Sequence, residues 1–382
     1  MKLSFDPTLH GFAFPNSFVN HVGPSIGGLH ITTHGRCGGM AYAALDYLHE
    51  GMAVPANDQP PPDGTPLADY LLDRLLQSYL TPPARKFVEY TALTDEKRWF
   101  VLPGLHGKTR QEFGRITAAL DQGQPVVIGV IKAESVTNIG NNHQVLAYGY
   151  DVDGDVYRLW VYDNNFPLEE VALTSYPDDA HIASTEGLGA RGWFLQGYSP
   201  KVPPYLEGGT ILRERSSTDL HVVHGGAAFA LSAGERGALG LDQAPVTEIA
   251  DGSLAWIATT PGDGTVVRDH TSTRPAVVYG GAPFALTDDA TRPGEIVLDG
   301  RSLTVIDVPE GAVASLPTVP RDQTLLRAEH DGTTYRMEDG QRRPIASAAV
   351  LDQSGWRGQN VRVVPDGSLA ALTMGPPING PT

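Results

Sequence analysis

The sequence predicts a mixed α+β domain over residues 1–203, followed by an all-β domain over residues 204–382. Three observations carry this expectation. Apolar residues recur at helical spacing several times in the first half and almost never in the second. The Pro-rich link Ser199-Pro200-Lys201-Val202-Pro203-Pro204 separates the two textures. Past it, short strand-like runs punctuated by Gly, Asp and Pro repeat three times.

The first helix is expected to begin at Cys37, the only cysteine of the chain. After it Met40, Ala41, Ala44, Leu45 and Leu48 lie on one helical face, and Gly51 sits where a helix would stop. A thiol in the first helical turn sits among unpaired backbone N–H groups and at the positive end of the helix dipole, which favour an anion. The thiolate is the reactive form of cysteine. One cysteine cannot close an internal disulfide, and the flanking Gly35, Gly38 and Gly39 suit the close approach of a substrate backbone. A Pro-rich loop at residues 59–66 leads to a second helix, where Leu71, Leu72, Leu75, Leu76 and Tyr79 are read as core packing.

A cysteine nucleophile needs a base, and the base needs an orienting partner. Ile116 to Leu120 reads as a helix, Gln122 to Pro125 as a turn, and Val126 to Val130 as a buried strand. The next strand starts at His143, with Val145 and Ala147 alternating against Gln144, Leu146 and Tyr148. A turn through Asp153-Gly154 leads into the strand Val156 to Tyr162. Such a hairpin returns the end of the second strand to the start of the first. Asp163 is therefore expected beside His143, where it would fix the imidazole tautomer and stabilise the charged ring. The last strand of the domain is expected at Gly192 to Tyr198.

This order, Cys at a helix start, His at a strand start and Asp at the end of the next strand, resembles the papain-like cysteine peptidases. Within them it is most similar to the bacterial branch of C39-like, bacteriocin-processing peptidases. His143-Gln144-Val145, Gly149-Tyr150-Asp151 and Tyr162-Asp163-Asn164 carry the likeness, which spans roughly residues 10 to 205. The resemblance implies a cysteine peptidase or related thiol hydrolase acting on a peptide or protein. Cys37 would be the nucleophile, His143 the base and Asp163 its orienter. The family places an oxyanion-hole glutamine six residues before the cysteine, and Ile31 stands there instead. An oxyanion hole needs a donor besides the Cys37 N–H. Asn16 is the expected donor, with Asn20 as a second choice.

In the second half, Gly209-Thr210-Ile211-Leu212-Arg213 recurs as Gly264-Thr265-Val266-Val267-Arg268 and as Gln323-Thr324-Leu325-Leu326-Arg327, at spacings of 55 and 59 residues. Val222-Val223-His224-Gly225-Gly226 matches Val277-Val278-Tyr279-Gly280-Gly281 and reads as a hairpin turn. Asp251-Gly252-Ser253-Leu254 recurs as Glu310-Gly311-Ala312-Val313 and as Asp366-Gly367-Ser368-Leu369. Three such units suggest a closed pseudo-threefold structure, a β-trefoil first, with a sequential array of β-hairpins as the alternative. By fold-level analogy a repeated β domain beside a hydrolase is a targeting module for a carbohydrate or other cell-surface ligand.

The formal charge of −16 argues against nucleic acid and anionic membranes as partners. Hydrophobic residues make up 41% of the chain, enough for packed cores, yet no run approaches a membrane span. The N-terminus lacks the apolar stretch of a signal peptide, so a cytoplasmic protein is expected unless a leader has been removed. His30, His34 and Cys37 have a zinc-like spacing, but no second cysteine completes a structural site, and no metal or cofactor is expected. Two other readings follow from the missing glutamine and from the breadth of the fold family: a catalytically inactive papain-like binding or adhesion protein, and a papain-fold acyltransferase.

Overall fold

The computed structural model describes residues 1–18, 25–26, 29–30, 35–95, 104–187, 189–286, 296–298, 300–354, 356 and 361–380. The chain divides into two compact units, Met1–His49 with Val54–Lys201, and Glu50–Ala53 with Val202–Thr382. The first mixes helices with a six-stranded antiparallel sheet and a short two-stranded one, and the second is largely β, so the α+β class holds. Among the described residues no helix is long and apolar enough to cross a membrane.

The first unit contains helices α1 (Cys37–His49), α2 (Pro66–Leu80), α3 (Lys86–Thr91) and α4 (Leu105–Leu120). Its strands are β1 (Val126–Ile131), β2 (His143–Asp153), β3 (Val156–Tyr162), β4 (Val171–Ser175), β5 (Ile182–Ser184) and β6 (Gly192–Leu195). They form one antiparallel sheet in the order β5-β4-β3-β2-β1-β6. Phe113, Ile116 and Leu120 of α4 pack with Val145, Ala147, Leu159, Val161 and Trp193 of the sheet. Every residue from Cys37 to Tyr47 is buried, so α1 is a core helix. It lies close against α2: a Cβ on Gly39 would fall 1.9 Å from the Leu71 carbonyl oxygen. The helix ends at His49, and Gly51 follows with φ +63°, the left-handed conformation that glycine accepts without a Cβ penalty. Leu67, Leu71 and Leu75 form the buried stripe of α2, while Leu72, Leu76 and Tyr79 are half-buried.

The second unit contains three four-stranded sheets of one design. In the first, the strands Ile211–Glu214, Leu220–His224, Ala227–Leu231 and Val246–Ile249 are ordered third-second-first-fourth. The fourth strand runs parallel to the first, and the other pairs are antiparallel. The second and third sheets repeat this order and its parallel pair. The hairpin turns have left-handed φ at both central residues: Gly225 and Gly226, Gly280 and Gly281, Asp339 and Gly340. This is the backbone that two-residue hairpins require.

The expectation of a β-trefoil-like closure is corrected here. Among the described residues each unit pairs its strands only within its own sheet. The reason lies in two adjacent apolar residues in each first strand, which bury both faces. Ile211 of unit one packs with Val267 and Val308 of unit two, and Val266 of unit two packs with Leu326 and Val364 of unit three. The sheets therefore stack face to face in sequence, the geometry of a short repeat array. Leu325, the outward residue of the last unit, is covered by Ile345, Val350, Trp356 and Ile378.

The first two hairpins also seat on the following unit. A Cβ on Gly280, whose φ is +59°, would fall 2.5 Å from Thr324 Oγ1. Gly280→Ala is thus expected to cost about 1–3 kcal/mol from strain alone. The check is the urea midpoint of the β unit; an unchanged midpoint would show that the hairpin does not seat on its neighbour.

Candidate active site

Antiparallel pairing of β2 with β3 sets the site. Leu146 lies opposite Tyr162, so His143 at the start of β2 and Asp163 just past β3 share one end of the hairpin. The turn holds two residues, Gly154 and Asp155, with Asp153 paired to Val156. His143 Nε2 lies 2.7 Å from Asp163 Oδ1. Each of these two residues is only 5% exposed, and Cys37 is 7% exposed. The structure brings Cys37, His143 and Asp163 together, with Cys37 close enough to the imidazole to raise its pKa.

Burial works against a charged imidazole, but Asp163 and Cys37 outweigh it and push the His143 pKa up to about 10. Burial likewise works against the Asp163 carboxylate, and His143 outweighs it to hold that carboxyl below its usual range. The signs fix a pH window. The raised histidine stabilises the fold fully below its ordinary 6.5, and this is lost as pH rises through about 10. The depressed aspartate stabilises it above its ordinary 3.8, and this is lost as pH falls through its lower native value. The stability difference between the wild type and Asp163→Ala should therefore be largest near pH 4–6.5 and shrink toward pH 10. Urea titrations of both proteins across pH check this; a gap that grows with pH would contradict it.

The two asparagines after Asp163 bind the same cluster. Asn164 Nδ2 donates to the Cys37 carbonyl at 3.0 Å and to the Gln144 carbonyl at 3.2 Å, clamping the start of α1 to β2. The Asn165 backbone N–H donates to Asp163 Oδ1 at 3.0 Å, and its Nδ2 lies 3.2 Å from His143 Nε2. From the sequence these asparagines were given no role in holding the site; the missed signal is an Asp-Asn-Asn run directly after a wholly apolar strand end.

The N-terminal segment carries Asn16 to this place. Phe5 packs on Tyr148 and Tyr162, Phe12 on Phe14 and Tyr47, and the Asn16 backbone N–H donates to the Asn164 carbonyl at 2.9 Å. Asn16 Oδ1 accepts the Arg36 N–H at 2.5 Å, one residue before Cys37. That contact fixes the amide, so its Nδ2 is the donor end and lies 3.3 Å from Asn165 Oδ1. A Cβ on Gly35, whose φ is +89°, would fall 2.5 Å from that nitrogen. Asn20, Ile31 and His34 lie outside the described residues.

On the α2 side, burial first and the adjacent Cys37 second raise the pKa of Tyr79 and keep its hydroxyl protonated. The Gln144 side chain is wedged against Gly38, where a Cβ would fall 2.4 Å from its Nε2, and that nitrogen donates to Ser78 Oγ at 3.0 Å. Tyr79 and Gln144 thus lie beside the start of α1. Their roles could not be read from sequence, because α2 meets β2 only in the folded chain. No family model, curated protein or solved structure matches the chain.

Proposed function

We propose that the first unit is a papain-like thiol hydrolase that cleaves a peptide amide through a thioester on Cys37. The observation that carries this reading is the buried His143, held at Nε2 by Asp163 and close enough to Cys37 for the thiol to raise its pKa. His143 takes the thiol proton, and the sulfur attacks the amide carbonyl. The carbonyl oxygen becomes an oxyanion facing the Cys37 N–H and Asn16 Nδ2, whose second hydrogen is not used by Asn165. The imidazolium then protonates the departing amine as the C–N bond breaks, leaving the thioester. Water, deprotonated by His143, attacks the thioester and returns the thiol. Asp163 keeps the proton-bearing Nε2 oriented throughout. The stacked β unit would serve to bring this activity to a carbohydrate or other cell-surface partner.

The test is acid-quenched intact-mass spectrometry of the protein mixed with a panel of N-acyl amino acid p-nitrophenyl esters and the matching peptides. The reading expects an acyl adduct that maps to Cys37 and turns over to free acid. Acyl transfer to added glycine amide in preference to water would instead mark an acyltransferase. The absence of any adduct at Cys37 would favour the inactive, binding-protein reading.

A further inference from the structure

We propose that the third repeat unit holds a binding site for a carboxylate ligand, at the place where the other two units put their own acidic side chain. In unit one, Glu214 Oε1 accepts the Leu254 N–H at 3.0 Å. In unit two, Asp269 Oδ1 accepts the Val313 N–H at 3.0 Å. The equivalent acceptor position in unit three is Ala328, three residues after Leu325 as Glu214 is after Ile211 and Asp269 after Val266. Alanine has nothing to offer the Leu369 N–H. A cavity of about 370 Å³ opens at this point, lined by Ala328, Leu369, His330, Arg342, Asp331 and Asp366, among others.

The charges around the cavity change in the direction an external anion requires. Arg342 stands where the other units have Ala228 and Pro283, two residues past the second glycine of each turn. His330 stands where they have Ser216 and Thr271. Unit three has therefore exchanged the carboxylate at position 328 for Asp331, which stands where the other units have Ser217 and Ser272, and has gained two basic side chains at the same spot. The Arg342 side chain is steered by its Nε, which donates to the Leu372 carbonyl at 3.2 Å, and by the Tyr335 ring, with its guanidinium carbon 5.2 Å from the centroid.

The two acids in the wall already have partners. Asp366 accepts the His330 N–H at 3.0 Å and meets its Nδ1 at 2.6 Å. The first of these bonds is common to the repeat, since Asp251 accepts the Ser216 N–H at 2.8 Å. Asp331 accepts the Thr333 N–H at 2.9 Å. An incoming carboxylate would take the Leu369 N–H as Glu214 and Asp269 take theirs, with Arg342 as its counter-charge. The ligand is either a small organic acid or the C-terminal carboxylate of a peptide; both offer the same group. This inference does not rest on the hydrolase reading.

The test is calorimetric titration of the full chain carrying Cys37→Ala, so that hydrolysis cannot interfere. The probes are acetate, N-acetylglycine, trialanine and trialanine amide. Binding of at least one carboxylate with Kd below about 10 mM is expected. Trialanine binding well above acetate, with none for its amide, marks a peptide terminus; equal affinity for acetate and trialanine marks a small acid. Adding Ala328→Asp restores the internal acid, and is expected to abolish binding and raise the midpoint of the β unit. This variant should fold, because the other two units carry Glu214 and Asp269 at this position. Arg342→Gln is expected to weaken binding about tenfold or more. Carboxylates that bind the Ala328→Asp protein as well as its parent, or that bind neither protein, would overturn the proposal.

Discussion

Cys37→Ala is expected to remove amide and ester hydrolysis, with kcat falling by about 10³-fold or more. The effect is this large because the proposed reaction passes through a covalent bond to that one sulfur, and Cys37 is the only cysteine of the chain. The fold should survive. The side chain is small, and the Asn164 clamp on this part of the helix holds the Cys37 backbone carbonyl rather than the sulfur. A circular dichroism spectrum and urea midpoint close to those of the wild type would confirm that only chemistry was lost. Residual turnover within tenfold of the wild type would mean that the sulfur is not the nucleophile.

The largest effect on stability is expected at Arg74, which pairs with Asp46 between α1 and α2. Arg74 Nη2 donates to Asp46 Oδ1 at 3.0 Å and to the Ser199 carbonyl at 2.9 Å. Asp46 is fully buried, and also accepts from the Tyr70 and Tyr198 hydroxyls and the Lys201 N–H. Removing one partner of such a pair strands a charge in the core, at a cost of about 3–5 kcal/mol. Arg74→Ala should destabilise the first unit by that amount at neutral pH. Burial already raises the Asp46 pKa, with Arg74 the strongest opposing influence. In the variant the carboxyl should take up a proton on folding, so the loss should narrow as pH falls. Urea unfolding at pH 7 and pH 5 checks both the size and the sign; equal losses at the two pH values would contradict this account.

The sequence showed the site where its geometry is local. Helical spacing placed Cys37 at a helix start, and hairpin arithmetic through Gly154 placed Asp163 beside His143. Asn16 reached the site through packing of Phe5, Phe12 and Phe14 that no local pattern encodes, and it was found only because an oxyanion donor was missing. Asn164 and Asn165 carried no expected role of their own, since their partners on α1 and β2 are distant in sequence. Tyr79 and Gln144 looked like core packing and strand alternation for the same reason. In the second half the repeat and its turns were legible, but the stacking was not. Whether a fourth strand pairs with its own unit or the next depends on long-range register. The doublets Ile211-Leu212, Val266-Val267 and Leu325-Leu326 were the available clue: a strand apolar at consecutive positions is buried on both faces. The loss of the acid at Ala328 was visible in the aligned repeats, but acquires meaning only beside the cavity.

The most direct test of the central claim, that His143 activates Cys37, is the rate of iodoacetamide alkylation at pH 6 in the wild type and in His143→Ala. Cys37 is the sole thiol, so the readout has one source. The account expects rapid alkylation of the native protein and a rate at least about tenfold lower in the variant, because only the thiolate reacts and the imidazolium is what holds it. Equal rates in the two folded proteins would contradict the account, leaving Cys37 as a buried core residue and His143–Asp163 as a structural pair.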